Sequence, residues 1–221
     1  MHSSIDKLNI VKNKVNKIIK EKQLKTNPKI IIISKTFSID KIKPLIENKH
    51  IHFGENKVQE AEDKWSETRN LYKELQLHMV GKLQSNKVKK ALKIFDYIHS
   101  LDSKKLAIKI SKASQELNKK IKLFIQVNLG DEIQKSGIGL NEVDAFYNYC
   151  IQELSLNVIG LMCIPPANNS SKYFKSLKQA AERLSLKDLS MGMSSDFEDA
   201  VLNNSTYLRL GTVILGKRNI I

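Results

Sequence analysis

Four consecutive isoleucines, Ile30 to Ile33, run directly into Ser34-Lys35-Thr36. An apolar run of that length suits a strand buried on both faces, so it carries an amine to the point where the chain leaves the core. Desolvation there disfavours the ammonium form, lowers the pKa and leaves a neutral amine able to form a Schiff base. Position alone favours the plainer alternative, a lysine whose stem follows the strand while its amine stays in water. Two segments near the other end of the chain change that balance. Ser190-Met191-Gly192-Met193-Ser194-Ser195 and Arg209-Leu210-Gly211-Thr212 combine small residues with hydroxyls, as a phosphate cradle requires. Gly192 and Gly211 permit close backbone approach, Ser194 and Thr212 offer hydroxyls, and Ser194 or Ser195 is placed to cap a helix starting at Asp196. Arg209, between Leu208 and Leu210, brings a guanidinium into an apolar strand, where it requires an acceptor. A Schiff-base lysine, a phosphate cradle and an arginine able to approach a pyridine nitrogen together predict a pyridoxal 5′-phosphate site.

These residues need a scaffold that gathers strand ends. Ile5, Leu8, Val11, Val15, Ile18 and Ile19 recur at helical spacing, which predicts an amphipathic helix over the first twenty-odd residues. After Asn27-Pro28, short apolar runs alternate with longer segments of helical period. Eight strands are predicted, at 29–34, 50–53, 77–80, 97–100, 122–128, 158–164, 188–191 and 207–210. The helices between them are expected at 38–48, 56–74, 84–95, 103–119, 140–154, 170–186 and 195–203, long enough for right-handed crossovers. This is the pattern of a closed (β/α)8 barrel with an extra N-terminal helix, although the chain is short for that fold. The rival, an open doubly wound sheet, lacks a GxGxxG after its first strand. No linker divides residues 1–221, so one domain is expected, with its site at the C-terminal strand ends.

Composition narrows the function classes. The 221 residues are 41% hydrophobic and 27% charged, which excludes low-complexity disorder, and the formal net charge is +14. Only Arg69, Arg183, Arg209 and Arg218 of the basic residues are arginines, whereas nucleic-acid readers lean on arginine for bidentate and stacking contacts. The charge therefore reads as solubilising lysine rather than a nucleic-acid surface. Two cysteines, Cys150 and Cys163, without CxxC spacing, indicate a reducing compartment. No signal-peptide stretch opens the sequence and no apolar run approaches a membrane span, so a cytoplasmic protein without a membrane partner is expected.

The stretches IIISKT (31–36), HFGENKVQEA (52–61), HMVGKLQSNKVK (78–89), IHSLDS (98–103), IQVNLGDEIQKSGI (125–138), GLMCIPP (160–166), LSMGMSSDFEDAV (189–201) and LRLGTVILGKR (208–218) closely resemble the pyridoxal-phosphate homeostasis protein family, the YggS or PROSC group. The resemblance runs in order over almost the whole chain from about residue 30. The family in turn resembles the barrel domain of alanine racemase without that enzyme's second, β-rich domain. The resemblance implies a protein that holds and delivers pyridoxal phosphate and keeps the free aldehyde scarce, with no established reaction. It implies that Lys35 is the Schiff-base lysine, that Ser194, Gly211 and Thr212 bind the phosphate, and that Arg209 partners the pyridine nitrogen. Asn56, of the GEN motif, is implied beside the cofactor, with Ser190 and Met162 lining the pocket. This chain departs from the family at Lys57, where a Tyr is usual, and at Leu77, Asn204 and Leu215; none of these removes an implied ligand, but Lys57 adds an amine near the site.

The other chemical residues read more plainly. His50 and His52 fall on one face of the second strand and, with His78 and His99, suit core or hydrogen-bonding roles; no metal site is expected. Glu55, Glu60, Glu62 and Asp63 crowd a helix start, where negative charge meets the dipole favourably. Lys82, Lys87, Lys89, Lys90 and Lys93 suit a solvated helix face, Trp65 a core anchor, and the cysteines small buried hydrophobes. The expected protein is a monomeric binder of pyridoxal phosphate, with apo-enzymes that use the cofactor as partners. Because an arginine leaves the pyridine nitrogen unprotonated, and no segment supplies the second domain's Tyr base, at most trace racemase activity is expected. A small racemase or Schiff-base lyase is the alternative.

Overall fold

The computed structural model describes residues 3–130, 136–166 and 169–217. Part of the 125–138 stretch and Arg218 lie outside them. The strands are β1 (Lys29–Ile33), β2 (His52–Glu55), β3 (Gln76–Met79), β4 (Tyr97–Leu101), β5 (Lys122–Asn128), β6 (Ile138–Gly139), β7 (Val158–Cys163), β8 (Asp188–Ser190) and β9 (Tyr207–Leu210). All pairings are parallel, and β1-β2-β3-β4-β5-β7-β8-β9 closes on itself through the β1–β9 pair. The expected (β/α)8 barrel is therefore the fold. The two-residue β6, on the edge of β5, is an addition that the sequence does not signal.

The helices are α1 (Ser3–Glu21), α2 (Ile39–Glu47), α3 (Val58–Leu71), α4 (Val88–Ile94), α5 (Lys104–Glu116), α6 (Val143–Asn148), α7 (Ser170–Arg183), α8 (Phe197–Leu202) and α9 (Thr212–Leu215). Two predicted helices are not uniform: a 3-10 turn at Ser85–Lys87 precedes α4, and π-helical Tyr149–Glu153 continues α6. The second strand starts at His52, two residues later than its apolar pattern suggests, because His50 turns aside and its Nε2 lies 3.0 Å from the His52 carbonyl oxygen. His50 and His52 therefore do not share a strand face. α1 packs against α2, α8 and α9 on the flank of the barrel.

Alternation along each strand builds two cores. Ile30 and Ile32 of β1 face outward to the helices, whereas Ile31 and Ile33 point into the barrel with Tyr97, Phe124, Met162 and Tyr207. Gly54 makes this inner packing possible, since a Cβ there would lie 2.7 Å from Ile33 Cδ1 and 2.9 Å from Ile31 Cγ2. Tyr97 and Tyr207 close the N-terminal end, their hydroxyls bonded at 3.0 Å by Lys122 Nζ and Lys29 Nζ, which also lie over the rings. No helix of the described residues is long and apolar enough to cross a membrane.

Candidate functional site

β1 runs apolar to Ile33, so Ser34-Lys35-Thr36 emerges where the barrel opens. Ser34 is buried and Lys35 half-buried. Thr36 takes a left-handed conformation, φ 69°, which a β-branched residue adopts only when its surroundings impose it. Those surroundings are a charged cluster from the end of β2 and the first turns of α3. Glu55 Oε1 accepts from Ser34 Oγ at 2.8 Å, from Lys64 Nζ at 2.9 Å and from Trp65 Nε1 at 3.0 Å. Lys64 also donates to the Ser34 carbonyl at 2.8 Å and to Glu60 at 3.0 Å, while Glu60 Oε1 accepts the Thr36 N–H. Both neighbours of Lys35 are thus tied to α3, so Lys35 hangs from a fixed backbone.

Glu55 differs from its expected role. It is the last residue of β2 and fully buried, not a carboxylate soothing a helix dipole. Burial outweighs Lys64 and raises its pKa above the usual carboxylate range. Lys64→Met leaves this buried carboxylate unpaired and should cost about 3–5 kcal/mol. Urea denaturation followed by far-ultraviolet dichroism measures that loss, and an unchanged midpoint would show the clamp to be idle.

At the mouth, Lys35, Asn56, Ser194, Arg209, Gly211 and Thr212 line one cavity of about 460 Å³, with Ile33, Val80 and Ile164 as its apolar wall. This volume suits a small organic ligand. The segments expected to cradle a phosphate are two loops at this mouth. Gly192 has φ +93°, and a Cβ there would meet Ala200 Cβ at 2.5 Å, so the β8–α8 turn depends on glycine. Ser194 does not cap α8. Asp196 is the residue before α8, and its carboxylate accepts the Met193 N–H at 2.6 Å. Ser194 Oγ instead accepts from the N–H groups of Gly211 at 3.3 Å and Val213 at 3.4 Å. Two backbone donors therefore converge on a hydroxyl oxygen at the cavity wall, a geometry that equally receives an anionic oxygen.

Arg209 enters from β9, where Leu208 and Leu210 face outward to the helices. It is 5% exposed. Its Nη1 donates to Ser190 Oγ at 2.7 Å and its Nη2 to the Cys163 carbonyl at 2.8 Å. No carboxylate pairs with it among the described residues, and burial presses its pKa below the ordinary value. Ser190 and Met162, also expected beside the ligand, are fully buried and absent from the cavity lining. Ser190 reaches the site through Arg209, and Met162 packs in the barrel interior.

Lys57 does not join this cavity. It lines a neighbouring hollow with Lys82 and Lys87, separated from Lys35 by Asn56, which borders both. The remaining lysines of that face are partly paired, Lys89 with Glu116 at 3.1 Å and Lys90 with Glu62. Cys150 and Cys163 are buried, and burial pushes both thiols up to about 12. Among the described residues no group of three or more His, Cys, Asp or Glu side chains is placed to hold a metal ion. Sequence reading missed the Glu55–Lys64 clamp, although Glu55 stands one residue from Asn56 and could have been placed on β2 by its strand period.

The family model of the alanine racemase N-terminal domain matches residues 10–219 of this chain. A pyridoxal phosphate homeostasis protein from Haemophilus influenzae is 32% identical over 224 residues, spanning 96% of this chain and 94% of that protein. Another of the same name, from Aquifex aeolicus, is 36% identical over 176 residues, spanning 75% and 76%. The solved structure of PipY from Synechococcus elongatus with pyridoxal phosphate bound matches with a TM-score of 0.78 at 32% identity, covering 91% of this chain and 100% of that one.

Proposed function

The chain belongs to the alanine racemase N-terminal domain family and to the pyridoxal phosphate homeostasis proteins, and from that premise we propose that it binds pyridoxal 5′-phosphate and serves its homeostasis inside the cell without robust catalysis. The observation that carries this reading is the meeting of Lys35, Arg209 and the Gly211-Thr212 turn in one cavity. The residues fit the group. Arg209 is a buried cation with neutral partners only among the described residues, and Asn56 Oδ1 is buried with no hydrogen-bond partner; each suits a polar ligand bearing negative charge and a donor.

When bound, the cofactor supplies an aldehyde for an amine to capture and a pyridine ring that withdraws electrons from the captured amine. Lys35, which lines the cavity, is the amine that would capture that aldehyde. The clamp on Ser34 and Thr36 holds that amine at the mouth. Gly211 and Val213 N–H, with the Ser194 and Thr212 hydroxyls, would hold the phosphate. Arg209 would face the pyridine nitrogen as a donor only and would leave it unprotonated, because a guanidinium has no acceptor to take a proton up and does not release one. That arrangement weakens the ring as an electron sink and favours holding the cofactor over turnover.

Delivery of the bound cofactor to apo-enzymes that need it follows as the partner class, and the protein works as a monomer. A small amino-acid racemase or Schiff-base lyase is the competing reading, favoured by the family's likeness to alanine racemase. Incubating the cofactor-loaded protein with L-alanine in deuterated water separates the two. The homeostasis reading expects the α-proton to be retained and the L-enantiomer to persist; steady α-deuteration with appearance of D-alanine would establish the enzyme.

A further inference from the structure

Three of the five histidines stand in line across the barrel interior. His52 Nδ1 lies 3.0 Å from His78 Nε2, His78 Nδ1 lies 2.9 Å from His99 Nε2, and His99 Nδ1 lies 2.8 Å from Ser190 Oγ. Arg209 Nη1 donates to that same hydroxyl at 2.7 Å. The row therefore passes through β2, β3, β4, β8 and β9 and ends on the guanidinium assigned above to the pyridine nitrogen. His78 and His99 are fully buried, His78 stacked on Tyr97 at 4.2 Å and His99 on Phe124 at 4.3 Å between ring centroids.

Donor and acceptor chemistry sets the polarity of this row. A guanidinium only donates, so Ser190 Oγ accepts from Arg209. Among the described residues His99 Nδ1 is the one remaining partner of that hydroxyl, and so receives its proton. His99 must then carry its own proton on Nε2 and donate to His78 Nδ1. His78 donates in turn from Nε2 to His52 Nδ1, and His52 keeps its proton on Nε2 at the half-buried end. The opposite sense would leave the Ser190 proton buried without an acceptor, at a cost that proteins avoid.

We propose that Ser190, His99, His78 and His52 form a polarised hydrogen-bond wire that positions Arg209 and substitutes for a carboxylate counterion. Every imidazole turns its lone pair toward the cation, and successive bonds polarise one another in the low-dielectric interior. A carboxylate would pair bidentately with the guanidinium and draw its charge away from the cavity. The wire occupies a single Nη1 donor and leaves the charge intact. Ser190 and the three histidines are positioning residues, because they act on the ligand through Arg209. The role assigned to the wire rests on the pyridoxal phosphate reading; its polarity does not.

Nitrogen NMR of protein labelled in the histidine rings, with no cofactor present, tests the polarity. Rings 52, 78 and 99 are expected to show an unprotonated Nδ1 and a protonated Nε2, with assignments made through His52→Gln and His78→Phe. A proton on Nδ1 of His78 or His99 overturns the proposal. Adding pyridoxal phosphate should then shift the ring nitrogens of His99 and His78. Ser190→Ala should abolish those shifts while borohydride still traps the cofactor on Lys35, and should weaken binding by about tenfold or more, as loss of a hydrogen bond to a charged group predicts. Shifts that persist in Ser190→Ala overturn the wire. If wild type shows the expected tautomers yet neither shifts nor is trapped, the cofactor reading has failed and the polarity of the row stands.

Discussion

Lys35→Ala protein mixed with pyridoxal phosphate shows no visible absorption beyond that of the free cofactor, and after borohydride reduction its mass is unchanged. Wild type gains a visible band and, on reduction, the mass of one cofactor. The effect is all-or-none because a C=N bond requires a primary amine at one place, and Lys35 is the lysine that lines the cavity with Arg209 and Gly211. Lys57 and Lys82 are the nearby test of that specificity. They border the adjacent hollow, and in Lys35→Ala their amines remain available at the same concentration. A band that survives the substitution, with peptide mapping that finds the adduct on Lys57 or Lys82, would move the site into that hollow. The phosphate cradle is untouched by the change, so competition between free pyridoxal phosphate and inorganic phosphate on the variant should still report binding to Ser194, Gly211 and Thr212.

Acid should unfold the protein cooperatively well before its carboxylates are protonated. Burial is the first cause in every case: it holds His50 and His52 down to about 4 and His78 and His99 well below the ordinary histidine value. In the unfolded chain these rings titrate near 6.5. Between those values the unfolded state binds more protons, so stability falls as pH falls. The loss starts near pH 6.5 and continues to about 4, the folded value of His50 and His52. The shift of His50 alone is worth about 3 kcal/mol, and the other three rings act in the same sense. Together they rival the whole stability of an ordinary domain, about 5–15 kcal/mol. Glu55 works in the opposite direction, since its raised pKa makes the folded state hold a proton longer, but it is one group against four. The midpoint temperature, read by dichroism at half-unit steps from pH 7.5 to 4.5, should fall steeply below about 6. A flat profile down to pH 5 would mean that the imidazole row is charged or solvated in the folded protein.

Much of the fold was legible because parallel barrel strands are buried on both faces. KIIII, KLFIQVN and VIGLMC announce themselves as apolar runs, and the intervening helices keep their apolar period. β2 was legible only to within two residues, since HIHF reads as a strand while His50 leaves the ladder for a bond to the His52 carbonyl. The 140–154 segment is legible as helical but not as two kinds of helix, because the shift to π-helical bonding at Tyr149 leaves no mark in the residue pattern. The place of Lys35 at the barrel mouth is legible from where its apolar run stops, whereas Arg209 lies inside β9, between Leu208 and Leu210.

Sequence by itself determined the alternation of strands and helices, the barrel they close into, and the residue types at each strand end, all of which follow from local hydrophobic period and from one-dimensional order. Tertiary structure decided which interior side chains share a height. Gly54 stands opposite His78, and His78 opposite Tyr97; this register, with the tilt of the strands, brings His52, His78 and His99 into one row that reaches Ser190 and Arg209. The same is true of Ser194, which local sequence offers as a cap for α8 and which the β9–α9 turn captures instead. A bond across the barrel depends on register and shear, and neither leaves a trace in the spacing of residues along a single strand.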